Sequence, residues 1–267
     1  MTQTSSATAD APLLLRDDAD GVTTLTLNRP GARNALSTGL MSTLEAELAR
    51  LANDKSVKVV VIEGAGPGFC AGHDLKEIRA NPARQFYEEL FAQCSRLMLA
   101  IVHLPKPVIA KVHGIATAAG CQLVATCDLA VATEGARFAT PGVHIGLFCS
   151  TPMVALSRNV GRKQAMEMLL TGEMLSAEAA IQAGLINHAV AEDELEGAVA
   201  ELAGKIAAKS PLSLAIGKEA FYRQRELPLA EAYEYASKAM TTNMLARDAE
   251  EGIDAFLENR KPVWEGR

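Results

Sequence analysis

Three glycines and a proline crowd into Gly64-Ala65-Gly66-Pro67-Gly68, and Gly72 follows just before His73-Asp74. Gly and Pro at that density call for a special backbone path, with positive φ or close approach of another group. A tight surface turn is the simplest reading of Gly-Pro-Gly by itself. Phe69-Cys70-Ala71, however, returns to apolar residues inside the turn and directs the loop back toward a core. A second small-residue stretch, Gly114 to Gln122, has the same character. Its last part, Ala118-Ala119-Gly120-Cys121-Gln122-Leu123, reads as the start of a short helix. Free N–H groups at a helix N-terminus carry partial positive charge and favour an anion or a developing oxyanion. One N–H from each loop on a single carbonyl oxygen would make an oxyanion hole, each donor contributing about 2.7–4 kcal/mol to a transition state. Sequence spacing alone leaves open whether the loops meet. Among side chains nearby, His73 is an acid/base candidate by its chemistry. Cys149 is a nucleophile only with a stabilised thiolate, and otherwise a buried thiol. Asp74 reads as a loop cap, Glu77 as a solvated face and Asp128 as a structural anchor.

Both loops leave apolar runs that read as buried strands. Val59–Ile62 and Val108–Val112 are β-branched or small on both faces, and Leu129–Ala132 is a third such run. Val22 to Asn28 alternates Thr with Leu, the pattern of a half-buried strand. Ser37 is placed as an N-cap. Leu40, Met41, Leu44, Leu48 and Leu51 follow at helical spacing, giving a helix to about Asn53. A long helix is expected over 82–101, with Phe86, Leu90, Phe91, Cys94, Leu97 and Met98 on one stripe. Further helices are expected over 151–159 and 163–170 and after Ser176, and a last strand over 185–190. From Glu192 onward the pattern is helical, punctuated by Pro211 and Pro228 and stopped by Pro262. Repetition of strand, turn and helix predicts an α/β core with parallel strands and right-handed crossovers. Open α/β sheets bind ligands at such strand-to-helix turns.

The 267 residues allow one large domain with or without an appendage. A net charge of −6, with no Lys/Arg cluster, argues against a nucleic-acid face. The five cysteines show no metal-like spacing and read as buried, reduced thiols of a cytoplasmic protein. Met1 to Pro12 fits neither a secretory signal nor an Arg-rich transit peptide and reads as a disordered tail. The apolar region Leu97–Val124 is broken by His103, Pro105, Lys106, Pro107, Lys111 and His113, so no membrane span is expected.

Several ordered motifs together resemble the crotonase, or enoyl-CoA hydratase/isomerase, superfamily. They are Leu27-Asn28-Arg29-Pro30 with Asn34-Ala35-Leu36, Gly68-Phe69-Cys70-Ala71-Gly72-His73-Asp74-Leu75, Pro107-Val108-Ile109-Ala110 with Gly114, Ala118-Ala119-Gly120-Cys121 through Cys127-Asp128, and Glu251-Gly252 to Lys261-Pro262. Phe138-Ala139-Thr140-Pro141-Gly142 and Phe148-Cys149-Ser150-Thr151-Pro152 are similar to stretches of its enoyl-CoA hydratase domain-containing branch. The resemblance implies a spiral of ββα units over residues 13–205 and a helical region over 206–267 that builds homotrimers or dimers of trimers. It implies an acyl-CoA thioester substrate, with no cofactor besides the coenzyme A that the substrate carries, and no metal. The thioester oxygen would be held by the N–H groups of His73 and Ala119. Gly31, Ala32 and Arg33 would lie along the CoA nucleotide, and Ala71 and Leu75 near the adenine. Lys76, Phe256 and Lys261 join this CoA-binding set, and His144 and Cys149 the acyl end.

Two departures from the family pattern stand out. Hydratases of this family use two glutamates as an acid/base pair. Their positions fall here on Gln122 and Gly142. Gln orients a water by hydrogen bonds but takes no proton at neutral pH, and Gly142 is expected to supply only space. If the chain is a non-catalytic acyl-CoA binder, restoring both glutamates together is expected to create hydration.

Overall fold

The computed structural model describes residues 11–267. The expected tail over 1–12 falls, but for its last two residues, outside them. Asp20-Gly21, both at positive φ, turn a hairpin between β1 (Leu14–Ala19) and β2 (Val22–Leu27), as Asp-Gly favours. Ser37 caps α1 (Thr38–Asn53), accepting from the Leu40 N–H at 3.2 Å. Then come β3 (Val59–Gly64), α2 (Leu75–Ala80), α3 (Arg84–His103), β4 (Val108–Val112), β5 (Ile115–Thr117), α4 (Ala119–Thr126), β6 (Leu129–Thr133) and β7 (Arg137–Ala139). After a 3-10 turn at Pro141–Ile145 the chain forms α5 (Pro152–Asn159), α6 (Arg162–Thr171), β8 (Leu175–Ser176), α7 (Ala177–Ala183) and β9 (His188–Val190). It ends in α8 (Leu195–Ala207), α9 (Pro211–Gln224), α10 (Leu229–Met244) and α11 (Arg247–Leu257).

Six strands form one sheet in the order β1-β2-β3-β4-β6-β9, parallel except for the β1–β2 hairpin. A second sheet has the order β5-β7-β8. Successive turns of chain give β4 then β5, and β6 then β7, one strand to each sheet. The turn after β3 reaches the second sheet through a single bridge, Cys70 to Ala116. This is the α/β spiral with a helical C-terminal region.

The strand runs are apolar on both faces because both faces are covered. Val60, Ile62, Val108 and Ala110 join the main core with α1, α3 and α4. Val59, Val61, Ile109 and Val131 point the other way, onto Leu195, Val199 and Ala203 of α8. β1, β5, β7 and β8 carry no sequence signal of their own, being exposed or at most three residues long apart from β1. The long helix runs two residues later than expected at each end. The last strand is shorter, because Gly184 ends α7 in a left-handed turn and Leu185-Ile186 bury in the main core before pairing begins.

Candidate active site

The glycine loop is organised by polar side chains that precede it in sequence. Asn34 is fully buried. Its Oδ1 accepts from the Arg29 N–H at 2.9 Å, and its Nδ2 donates to the Ala65 and Gly68 carbonyls at 2.8 and 2.9 Å. Arg29 donates to the Ala35 carbonyl and pairs with Asp74 at 2.8 Å. Asp74 in turn caps α2, accepting from the Lys76 and Glu77 N–H groups. Ala71 N–H donates to the Arg33 carbonyl at 3.0 Å. Gly31, Ala32 and Arg33 are exposed, as are Leu75 and Lys76, and the Ala71–Arg33 bond ties the two segments at the half-buried Ala71. The motif residues carried no assigned role beyond resemblance; Asn34 and Arg29 hold the two segments together.

The first loop then runs as a strand between two neighbours. Cys70 N–H donates to the Ile115 carbonyl at 3.1 Å, and Thr117 N–H returns to the Cys70 carbonyl at 2.9 Å. Leu36 N–H donates to the Gly72 carbonyl at 2.7 Å, and Asp74 N–H to the Leu36 carbonyl at 3.2 Å. Leu36 thus takes the groups flanking His73, and the N–H of His73 itself turns to the opposite side. Gly72 has φ +96°, and a Cβ there would stand 2.9 Å from the Ala118 Cβ and 3.3 Å from the Ala119 nitrogen. The two loops meet at this point. Ala118, at φ 50° and ψ −117°, turns the chain into α4, so Ala119 is the first helical residue and its N–H has no helical acceptor. Among the described residues neither the His73 nor the Ala119 N–H donates to a protein acceptor. Gly120 admits the contact, since a Cβ would collide with the Cys70 carbonyl.

Behind this junction the side chains are largely uncharged. Gln122 is buried, and its Oε1 lies 3.8 Å from the Cys94 thiol of α3. Phe91, one turn earlier on α3, meets the His73 ring edge-on at 5.7 Å between centroids. Burial pulls the His73 imidazole below the ordinary histidine pKa. The thiols of Cys70, Cys94 and Cys121 are each pushed up to about 12 by burial.

Gly142 and His144 depart from expectation, and Cys149 takes the buried-thiol alternative. Gly142 does not supply space: a Cβ there would stand 2.6 Å from the Leu147 carbonyl oxygen and 2.9 Å from the Cys149 sulfur. The chain folds back on itself, with Leu147 N–H donating to the Gly142 carbonyl at 2.9 Å. Cys149 is buried, and burial raises its pKa, so it is a neutral thiol rather than an activated nucleophile. His144 is exposed and its Nε2 lies 2.8 Å from the Thr171 carbonyl of α6, which holds the ring there rather than at Gln122. Phe256, 81% exposed, lies on α11, whose packing partners are α9 and α10, and no hydrogen bond or ion pair ties it or the side chain of Lys261 to the loops.

The comparisons agree with this architecture. A family model described as enoyl-CoA hydratase/isomerase matches residues 17–267. The enoyl-CoA hydratase domain-containing protein 3, mitochondrial, of Rattus norvegicus is 47% identical over 92% of this chain and 82% of its own length. A crystal structure of an enoyl-CoA hydratase from Mycobacterium smegmatis matches with a TM-score of 0.93 at 57% identity, covering 95% of this chain and 99% of that one. The crystal structure of human enoyl coenzyme A hydratase domain-containing protein 3 matches with a TM-score of 0.92 at 46% identity, covering 95% and 100%. With its spiral core, its paired loops and a match along almost its whole length, the chain belongs to the enoyl-CoA hydratase/isomerase family of acyl-CoA enzymes, in its hydratase domain-containing branch.

Proposed function

We propose that the protein binds an acyl-CoA thioester with its carbonyl oxygen between the N–H groups of His73 and Ala119, and nominally hydrates a 2-enoyl-CoA. The observation that carries the reading is the contact of the two loops at Gly72, with both N–H groups left without a protein acceptor. Adding a nucleophile at Cβ drives charge onto the thioester oxygen as the enolate forms, where two fixed donors act most strongly. Gln122 orients the attacking water by hydrogen bonding and accepts no proton. Gly31, Ala32, Ala71 and Leu75 line the CoA nucleotide, and Arg33 and Lys76 meet its phosphates. Phe256 and Lys261 are assigned to CoA on the family resemblance alone. No cofactor beyond the CoA of the substrate is invoked.

Turnover of crotonyl-CoA, read as loss of enoyl absorbance, tests the reading. Measurable hydration, slow because both carboxylates are replaced, is the expected result. Hydration at ordinary hydratase rates would overturn the weight given to Gln122 and Gly142. Failure to bind any acyl-CoA would overturn the substrate class. The missing carboxylates favour a second reading: another enolate reaction, such as isomerisation, decarboxylation or hydrolysis, or acyl-CoA binding without catalysis. A panel of acyl-CoAs followed by mass spectrometry separates these, and affinity without turnover on any of them selects the binder.

Assembly as a homotrimer or dimer of trimers is proposed through the helical region 206–267. A cytoplasmic location is proposed from five free, buried thiols, which suit a reducing compartment; the vertebrate relatives carry "mitochondrial" in their names. No described helix is long and apolar enough to cross a membrane.

A further inference from the structure

Among the described residues, only three buried side-chain nitrogen or oxygen atoms lack a hydrogen-bond partner. Two are the ring nitrogens of His73, and the third is the hydroxyl of Thr140, two residues before Gly142 in sequence. A buried polar group without a partner is costly, so native chains leave one where a ligand or water completes it. The His73 ring hangs from the residue whose N–H faces the other loop. It rests against Phe91, and the same face of α3, three residues on, carries Cys94 against Gln122. Residues three apart lie side by side on a helix. Neighbouring positions of α3 thus carry the two groups, the imidazole against Phe91 and the Gln122 amide against Cys94.

We propose that the His73 imidazole is the acid/base group of this site, moving the proton on the carbon next to the thioester carbonyl in place of the absent carboxylates. The proposal rests on the thioester reading above. The neutral ring nitrogen takes a proton from Cα. The C–H electron pair becomes the C=C bond of the enolate, and the carbonyl pair moves onto the oxygen held by the two N–H groups. The imidazolium returns the proton to Cα, so nothing is oxidised or reduced. In hydration the same ring accepts the proton of the attacking water and delivers it to Cα. Burial keeps the ring unprotonated near pH 7 and so able to accept a proton, while the Leu36 backbone carbonyl, near the ring but outside good hydrogen-bond geometry, and the charge of Glu77 of α2 favour the protonated form. Phe91 of α3 is uncharged, and Leu36 faces the ring with its backbone carbonyl and carries no charge.

Deuterium exchange into Cα of butyryl-CoA in heavy water, read by mass spectrometry, tests this without requiring complete turnover. His73→Phe and His73→Gln both keep the backbone N–H, so they remove the base and spare the oxyanion contact. Wild type is expected to bind and exchange. Both variants are expected to bind butyryl-CoA, which shows that they fold, and to exchange about 10²–10⁴-fold more slowly. The wild-type exchange rate should fall as pH drops and the ring is protonated, and the variants should lack that dependence. Binding by wild type without exchange, or unchanged exchange in both variants, would overturn the role of His73 and leave the thioester reading standing. No binding by wild type would overturn the thioester reading itself.

Discussion

A side chain at position 142 would start inside the Leu147 carbonyl and the Cys149 sulfur. The family's second acid is therefore excluded by the neighbouring chain, and restoring it means moving the 147–149 segment. Gly142→Glu, alone or with Gln122→Glu, should not raise crotonyl-CoA hydration above the wild-type rate, contrary to the expectation from sequence. Overpacking of this kind typically costs about 1–3 kcal/mol, so the thermal midpoint should fall as well. Hydration by the double variant faster than wild type at unchanged stability would show that the segment yields freely. His73 has its own signature in stability. Its folded pKa lies below the ordinary value because of burial, so the unfolded chain binds the proton more readily. Stability from this group is complete above the unfolded value near 6.5 and declines as pH falls through it, by up to about 1.4 kcal/mol per pH unit. Denaturant titrations between neutral and mildly acid pH should show this decline in wild type and a flatter profile in His73→Phe.

Elements are held in place by cations seated on carbonyls. The Lys106 ammonium donates to the Leu51 and Asp54 carbonyls at the C-terminal end of α1, where positive charge is favoured. Lys218 of α9 donates to the Ile101 and Lys106 carbonyls and pairs with Asp128 at 2.7 Å, while Tyr222 donates to the same carboxylate at 2.9 Å. Asp128 also accepts from the Val108 N–H at 2.7 Å, at the start of β4. Asp128 is thus the structural anchor that its position suggested, and it fixes α9 to the strand that leads into the second loop. Burial pulls the Lys218 ammonium below the ordinary lysine value despite the carboxylate beside it. Lys218→Met would strand a mostly buried Asp128 charge. It should cost about 3 kcal/mol, the low end for a broken buried pair because Asp128 retains some exposure. Hydrogen exchange should then speed up in α9 before it does in the sheet; uniform protection across both would remove the anchor role.

The whole molecule leaves large apolar side chains uncovered on its last two helices, with Met240, Met244, Phe256 and Leu257 all more than half exposed. Patches of this kind mark association surfaces, and here they support the proposed assembly. Phe256→Glu combined with Leu257→Glu should convert the assembly to monomer in light scattering, and an unchanged mass would move the interface elsewhere. Much of this architecture was legible because local pattern reports burial directly. The apolar runs Val59–Ile62, Val108–Ala110 and Leu129–Ala132 announced strands covered on both faces, the Leu40–Leu51 spacing announced α1, and Ser37 and Ser176 announced caps. The small residues of Gly64–Gly72 and Gly114–Gly120 announced close backbone approach. Pattern tells which face of an element is covered but not what covers it. Sequence alone therefore left open that the loops abut at Gly72 and Ala119, that His144 turns to Thr171, and that Leu147 and Cys149 fill the place beside Gly142. Those outcomes join residues that periodicity cannot relate, and only the packing of successive turns of the spiral decides them.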